Sequence, residues 1–272
     1  MTQSDIFKQT VVYSIPHMED AQVKHDIVYK TIDGTQLTMD VYYPADHDQC
    51  TMLPAILFIH GDAAWEHLQS IKESGQYRSW CQLAAACGFI GITFTHRSTH
   101  QFTDMHGPTE DILDLFAFVQ HNAADLCVDS ANIGVWLCSA GGPTALTALL
   151  RSIPEWLTCV VSYYALMDLH SLLDKISDLS AETVEQFSAI THLKTNPAKV
   201  PPMHVVKAGL DRPHFNDSID RFIEEAKRQR IPVELVTHPN GQHGFDLFHD
   251  DETSRKIIRD TLSFFKHHLK RK

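Results

Sequence analysis

The segment around Ser139 constrains the fold of this chain more than any other part of the sequence. A continuously apolar run at residues 133–136 predicts a buried strand, and residues 144–150 have the composition of a helix. Between them stands Ser139, followed by small residues at positions 140–142. A serine on so short a strand-to-helix connection lies on a sharp turn, which projects its hydroxyl away from the backbone. We therefore take Ser139 as a candidate nucleophile at the end of a buried strand.

Strands and helices alternate along the rest of the sequence. Two strands, at residues 25–32 and 36–43, are joined across Asp33-Gly34, a pair typical of tight hairpins. Later apolar runs are typical of strands covered on both faces, and lie at 55–59, 89–92, 160–161 and 205–206. Helical apolar stripes lie at 112–119, 219–226 and 258–269. The pattern predicts an α/β fold with a mostly parallel central sheet, an N-terminal antiparallel hairpin and helices on both faces.

The expected domain organisation is simple. Residues 1–24 form a polar lead-in segment, and residues 25–272 form one domain. Residues 168–200 are polar and favour helix, although a short crossover between two strands would suffice there. We expect this stretch to form either a small cap over the site or an ordinary crossover helix with a long loop.

Composition excludes several classes of partner. The formal net charge of −11 argues against nucleic-acid binding, which needs clustered Lys and Arg. No segment approaches the roughly 18 uninterrupted apolar residues of a membrane span. The N-terminal sequence lacks the basic start and apolar stretch of a secretory signal, and the six cysteines have neither paired nor metal-type spacing. We expect a cytoplasmic protein in a reducing environment.

Two further residues complete a candidate catalytic set. Acyl transfer at a serine needs a base for the hydroxyl proton and a carboxylate that orients the base. Asp211 follows the predicted strand 203–208, and His243 lies on a glycine-flanked loop after the strand 233–237. Both should reach the edge where parallel strands end. The alternatives are Cys138 as nucleophile, Asp168 as acid and His238 as base. Cys138 lies beside Ser139, Asp168 follows a predicted strand, and His238 lies at the end of one.

Backbone donors for an oxyanion come from two loops. We expect the N–H of Asp62, with Ala63 as the alternative, and the N–H of Ala140 to supply them. The Asp62 carboxylate should point away, because a negative charge facing the oxyanion would repel it. Placement after strands and in loops suggests pocket-lining residues, namely His60, Trp65, Arg97, His100 and Met167.

Four motifs give the chain a family resemblance. They are His60-Gly61, Ser139-Ala140-Gly141-Gly142, Ala208-Gly209-Leu210-Asp211 and His243-Gly244-Phe245. With them the chain resembles the α/β-hydrolase superfamily, in its esterase/lipase and dienelactone-hydrolase-like group. Two positions depart from the usual pattern: Leu137 stands where a glycine is common, and Asp62 replaces a second glycine after His-Gly. Leu137 needs room against the neighbouring strand and could widen or displace the turn.

The resemblance and the candidate set together imply a serine hydrolase acting on small or medium carboxylic esters. Two alternatives stay open: an amide or peptide hydrolase with the same residues, and a non-catalytic member that binds a ligand or partner. We expect no cofactor. We also expect no metal, because His-Glu-x-x-His and paired-cysteine spacings are missing, and His96 and His100 fall where a strand runs into a loop. The physiological substrate and the oligomeric state do not follow from the sequence.

Overall fold

The computed structural model describes residues 3–48, 51–173, 176 and 179–269. Its strands are β1 (Gln22–Ile32), β2 (Thr35–Tyr43), β3 (Leu53–Ile59), β4 (Ile90–Phe94), β5 (Val128–Cys138), β6 (Leu157–Tyr163), β7 (Met203–Ala208) and β8 (Val233–His238). Its α-helices are α1 (Gln3–Lys8), α2 (Trp65–Leu68), α3 (Gly75–Ala86), α4 (His106–His121), α5 (Thr147–Arg151), α6 (Ala181–Phe187), α7 (Ala189–His192), α8 (Pro213–Arg228), α9 (Phe245–Phe248) and α10 (Glu252–His268). A short π-helical stretch, Gly142–Leu146, precedes α5.

The strands form one sheet in the order β1-β2-β4-β3-β5-β6-β7-β8. The first three of these pair antiparallel, and all pairs from β4-β3 onward are parallel. The hairpin turn has positive φ at both Asp33 (48°) and Gly34 (79°), as the twist of tight hairpins requires. The predicted α/β fold, with its N-terminal antiparallel hairpin, is confirmed.

Helices cover both faces of the sheet, as predicted. On one face, apolar residues of α4, α5 and α8 pack against the strands, with Ile112, Leu149 and Phe222 fully or almost fully buried. On the other face, α3 and α10 do the same through residues such as Trp80 and Phe265. Burial on both faces explains why β3 and β4 are apolar at nearly every position. Of the described helices, none is both long enough and apolar enough to cross a membrane.

Residues 168–200 contain short helical stretches rather than one crossover helix. Leu169–Leu172 and Pro197–Lys199 are 3-10 turns, and α6 and α7 lie between them. Leu172, Val184 and Phe187 belong to a small apolar cluster that also includes Phe215 at the start of α8. Residues 174–175 and 177–178 lie outside the described part of this stretch, so a cap over the site stays a prediction.

Candidate active site

Ser139 occupies a strained turn directly after β5. Its φ is +53°, a left-handed conformation that non-glycine residues avoid unless the surroundings enforce it. The backbone supplies that enforcement. The Ser139 N–H donates to the Tyr163 carbonyl (3.2 Å), and the Ser139 carbonyl accepts from the N–H groups of Gly142 (3.2 Å) and Leu166 (3.0 Å). The hydroxyl-bearing residue is therefore fixed by bonds to β6 and to the segment that follows it.

The structure brings Ser139, His243 and Asp211 into one hydrogen-bonded chain. The Ser139 Oγ lies 3.0 Å from His243 Nε2, and His243 Nδ1 lies 2.6 Å from Asp211 Oδ2. The Asp211 side chain is 1% exposed, and that of His243 is 29% exposed. Because an ionised carboxylate only accepts hydrogen bonds, Nδ1 carries the ring proton and donates it to Asp211. Nε2 is thereby left to accept from the serine hydroxyl.

Two aromatic rings hold the His243 imidazole in place. Its centroid lies 4.6 Å from the ring of Tyr164 and 4.9 Å from the ring of Phe215. The Tyr164 hydroxyl donates to the buried carboxylate of Asp246 over 2.6 Å. No sequence motif predicted Tyr164, Phe215 or Asp246 as part of the site, although Asp246 follows the His243-Gly244-Phe245 motif directly. Packing from both sides restricts the ring to the orientation in which it reaches Ser139.

Asp246 is an unusual feature beneath the site. Its side chain is fully buried, and it accepts further bonds from Gln76 Nε2 (3.0 Å) and Trp80 Nε1 (3.2 Å). Burial raises the pKa of the Asp246 carboxyl, and hydrogen bonds from Tyr164, Gln76 and Trp80 counteract that rise only in part. The donors thus allow a carboxyl group to lie in the core and anchor Tyr164 against the imidazole.

The loop after β3 lies tightly against the serine. A Cβ added to Gly61 would stand 2.9 Å from Ser139 Cβ and 3.7 Å from the Ala140 nitrogen, so only glycine allows this approach. The next residue is Asp62, the expected first oxyanion donor. Within the described residues, the backbone N–H groups of Asp62 and Ala140 donate to no protein acceptor. Both are free to donate to a bound molecule.

The Asp62 carboxylate is held by the loop at residues 98–101. It accepts from Ser98 Oγ (2.8 Å), from the Thr99 N–H (2.9 Å) and from Thr99 Oγ1 (2.5 Å), with a longer bond from the Gln101 N–H (3.4 Å). These donors use the hydrogen-bonding capacity of both carboxylate oxygens. The carboxylate is therefore bound to residues 98–101, and its orientation away from an oxyanion stays a prediction.

His60 lies under this loop rather than in a pocket. Its ring stacks on His96 with centroids 3.5 Å apart, and its Nε2 accepts from the His96 N–H over 3.2 Å. Its Nδ1 therefore donates to the Gly61 carbonyl, 2.6 Å away. Burial lowers the pKa of His60, and the neighbouring His96 lowers it further. His60 is a neutral support for the loop, which corrects its predicted place in the pocket.

A cavity of about 770 Å³ opens at the serine. It is lined by loop residues and by the start of α8: Asp62, His100, Gln101, Phe102, Thr103, Ser139, Ala140, Leu172, Ile176, Arg212, His214 and Phe215. Of the expected pocket residues, His100 is in this lining. The Arg212 guanidinium lies 4.4 Å from the Phe215 ring centroid, above an apolar wall.

The structure places the other expected pocket residues elsewhere. The Arg97 guanidinium is occupied by Asp111, with Nε 2.8 Å from Oδ2. Trp65 and Arg97 line a separate cavity of about 270 Å³. Met167 is fully buried in the core beside the sheet. Position after a strand was a poor guide to the lining at Ser139, because an ion pair holds Arg97 and burial in the core encloses Met167.

The alternative catalytic residues have other partners. Burial raises the pKa of the Cys138 thiol to about 12, and its sulfur lies 3.3 Å from the Tyr77 hydroxyl. The Asp168 carboxylate accepts from His170 Nδ1 (2.6 Å) and from Arg221 Nε (2.6 Å), so its hydrogen-bond partners are residues other than His243. His238 is buried, with its Nε2 3.0 Å from the Ser254 hydroxyl. None of the three contacts the Ser139–His243 pair by a hydrogen bond among the described residues.

The fold and the hydrogen-bonded set of Ser139, His243 and Asp211 indicate the class of protein. Solved structures of esterase 2 from Thermogutta terrifontis have the same fold: the native form superposes with a TM-score of 0.70 at 22% identity, covering 93% of this chain and 94% of that chain. The paraoxon-phosphorylated form gives 0.69 at 23% identity, covering 93% and 95%. The butyrate-bound form gives 0.70 at 23%, with the same coverage. The chain has an α/β-hydrolase fold.

The family follows from the sequence match. The profile of the BD-FAE family matches residues 39–256, about four fifths of the chain. This chain belongs to the BD-FAE family.

Parts of much longer proteins are also similar. Non-reducing polyketide synthase ausA of Emericella nidulans is 26% identical over 156 residues, which is 52% of this chain and 6% of that protein. Non-reducing polyketide synthase stbA of Stachybotrys bisbyi is 28% identical over 138 residues, 48% of this chain and 6% of that protein. The matches span only about one sixteenth of these curated relatives.

Proposed function

We propose that this chain is a serine hydrolase that cleaves carboxylic esters of small or medium substrates through an acyl-enzyme. The observation that carries the proposal is the pair of hydrogen bonds from Ser139 to His243 (3.0 Å) and from His243 to Asp211 (2.6 Å). Nucleophile, base and orienting acid are thereby in the relation that acyl transfer requires. Family membership and the esterase-like fold support the same reading.

The roles follow from the protonation states. His243 Nε2 accepts the hydroxyl proton as Ser139 Oγ attacks the ester carbonyl carbon, and the Asp211 carboxylate stabilises the imidazolium that forms. The N–H groups of Asp62 and Ala140 donate to the oxyanion, and one such donor contributes about 3 kcal/mol to transition-state stabilisation. The imidazolium then protonates the departing alcohol. Water attacks the acyl-enzyme in the reverse sequence of proton transfers and releases the acid.

The cavity supports substrates of limited size. About 770 Å³ accommodates a small acyl or alcohol group beside the serine, and Leu172, Ile176 and Phe215 give it apolar walls. The Thermogutta terrifontis esterase 2 structures include butyrate-bound and paraoxon-phosphorylated forms. We extend both properties to this chain: it accepts short acyl groups, and organophosphates modify it at Ser139.

Active-site labelling tests the proposal directly. The purified chain should react with a fluorophosphonate probe and turn over p-nitrophenyl esters, with short acyl chains preferred over long ones. Ser139→Ala should abolish labelling and lower kcat by at least about 1,000-fold, whereas Cys138→Ala, the adjacent control, should retain both. Failure of the wild-type protein to label or turn over esters would contradict the proposal. Rates on a matched amide separate an esterase from an amidase.

A further inference from the structure

Three potential metal-binding side chains meet beneath the loop that carries His243. His238 is the last residue of β8, His249 follows α9, and Asp251 is the N-cap of α10. Their ligating atoms all lie within 4.8 Å of one another. The sequence spacing of these residues matches no common metal motif, so the cluster exists only through the fold.

The distances suit a small divalent ion. Zinc bonds of about 2.0–2.2 Å to nitrogen and oxygen in a tetrahedral site place neighbouring ligand atoms about 3.3–3.6 Å apart. His238 Nε2 and Asp251 Oδ1 are 3.3 Å apart, which is already one edge of such a tetrahedron. His249 is half-buried, and its ring is nearly parallel to that of His238, 9° between planes with centroids 5.2 Å apart. The ligating atom of His249 lies within 4.8 Å of those of His238 and Asp251.

Helix capping explains only part of this cluster. Asp251 Oδ1 accepts from the Ser254 N–H (2.7 Å), and the Ser254 hydroxyl lies 3.0 Å from His238 Nε2. His249 takes no part in these bonds, and its imidazole makes no hydrogen bond within the described part of the chain. Two imidazoles and a carboxylate are a ligand set that suits zinc.

We propose that His238, His249 and Asp251 bind one zinc-type divalent cation, with water as the fourth ligand. The ion closes a loop from residue 238 to residue 251, and this loop contains His243.

The position of His238 links this ion to both loops of the candidate active site. The His238 carbonyl accepts from the Gly209 N–H (2.8 Å) and from the Gly241 N–H (3.1 Å), which lie on the loops of Asp211 and His243. A Cβ on Gly241 would come 2.7 Å from His238 Cγ, so the imidazole packs directly against the second loop. An ion that fixes this ring therefore stiffens residues 239–251, independently of any chemistry at Ser139.

Zinc titration of the chain, after a chelator has removed any bound metal, tests the site. We expect one ion per chain at micromolar affinity or tighter in competition with a chromophoric chelator. We also expect a rise in Tm of roughly 5 °C at a hundredfold excess over Kd. Amide hydrogen exchange of residues 239–251 should slow when zinc is added.

Variants distinguish the cluster from adventitious surface binding. His249→Ala should weaken binding at least about tenfold and abolish the exchange effect. Asp251→Asn should weaken binding too while keeping the helix cap, since asparagine is also a good N-cap. The control is His121→Ala, which removes an exposed histidine of α4 and should bind zinc as the wild type does. A Kd for zinc above about 100 µM would overturn the proposal. Equal zinc affinity of His249→Ala and His121→Ala would overturn it too.

Discussion

Gly61 is the position at which the proposed chemistry depends most directly on packing. An alanine Cβ there would lie 2.9 Å from Ser139 Cβ and 3.3 Å from Oγ. Carbon atoms in good contact are about 3.5–4.0 Å apart, so the loop or the serine must move by more than about half an ångström. Ser139 is tied to Tyr163 and Leu166 by backbone hydrogen bonds, so the displacement falls on the loop after β3 and on Ser139 Oγ.

The magnitude of the effect follows from the required precision of the site. A misplacement of about 1 Å at reacting groups costs about 100-fold in rate, equivalent to about 2.7 kcal/mol. We therefore expect Gly61→Ala to lower kcat on p-nitrophenyl acetate about 100-fold. The backbone at Gly61 does not have a positive φ that alanine would resist, so only the steric overlap lowers the free energy of unfolding, by about 1–3 kcal/mol.

Gly34→Ala is the matched control. Gly34 has φ +79° with open space around its would-be Cβ, so alanine there strains the hairpin without touching the site. It should lower the free energy of unfolding by about 1–2 kcal/mol and leave kcat unchanged. If Gly61→Ala keeps more than about half of the wild-type kcat, the close packing of Gly61 on Ser139 does not matter for the chemistry. Equal loss of activity in both variants would contradict the prediction too.

Two further substitutions test the roles given to the carboxylates of Asp168 and Asp62. Asp168→Asn should leave kcat intact and lower Tm near pH 7. Burial raises the Asp168 pKa, but hydrogen bonds from His170 and Arg221 outweigh it and bring the value below 3.8, so the ionised form stabilises the fold at neutral pH. The Tm difference from wild type should thus narrow as the pH falls below about 3.8; a constant difference, or a large loss of kcat, contradicts this role. Asp62→Gly should not raise kcat on p-nitrophenyl acetate, because the carboxylate is already bound by the loop containing Ser98 and Thr99; a large gain in rate would show that its charge hinders the site.

Local pattern was enough to predict the sheet and the three central side chains. The run that forms β3 is apolar because both faces are covered, and Asp33-Gly34 fits the two positive φ angles of the hairpin. Ser139, Asp211 and His243 each follow a strand of the parallel part of the sheet. Because such strands end at one edge, their order along the chain already implied that they meet.

The cavity wall could not be predicted in the same way. Its side chains come from residues 100–103, from Leu172 and Ile176 and from the start of α8, and the direction of such segments depends on contacts distant in sequence. Arg97 is an example. It follows β4 at the sheet edge where Ser139 lies, but its guanidinium donates to Asp111 on α4. The His60 ring likewise stacks on His96 and is not part of the cavity lining. Ion pairing and stacking between distant residues leave no periodic signal in the sequence.

Leu137 shows how a departure from the usual family pattern is accommodated without moving the serine. It is fully buried and pairs with Ile59 and Ser162 across the sheet, so its side chain belongs to the core. A Cβ at Gly141 would come 3.1 Å from Leu137 Cβ, which means that the room for leucine is provided by glycine on the other side of the turn. The turn therefore does not need to widen, and Ser139 Oγ remains 3.0 Å from the imidazole. The larger residue before the serine and the small residue after it are a compensating pair.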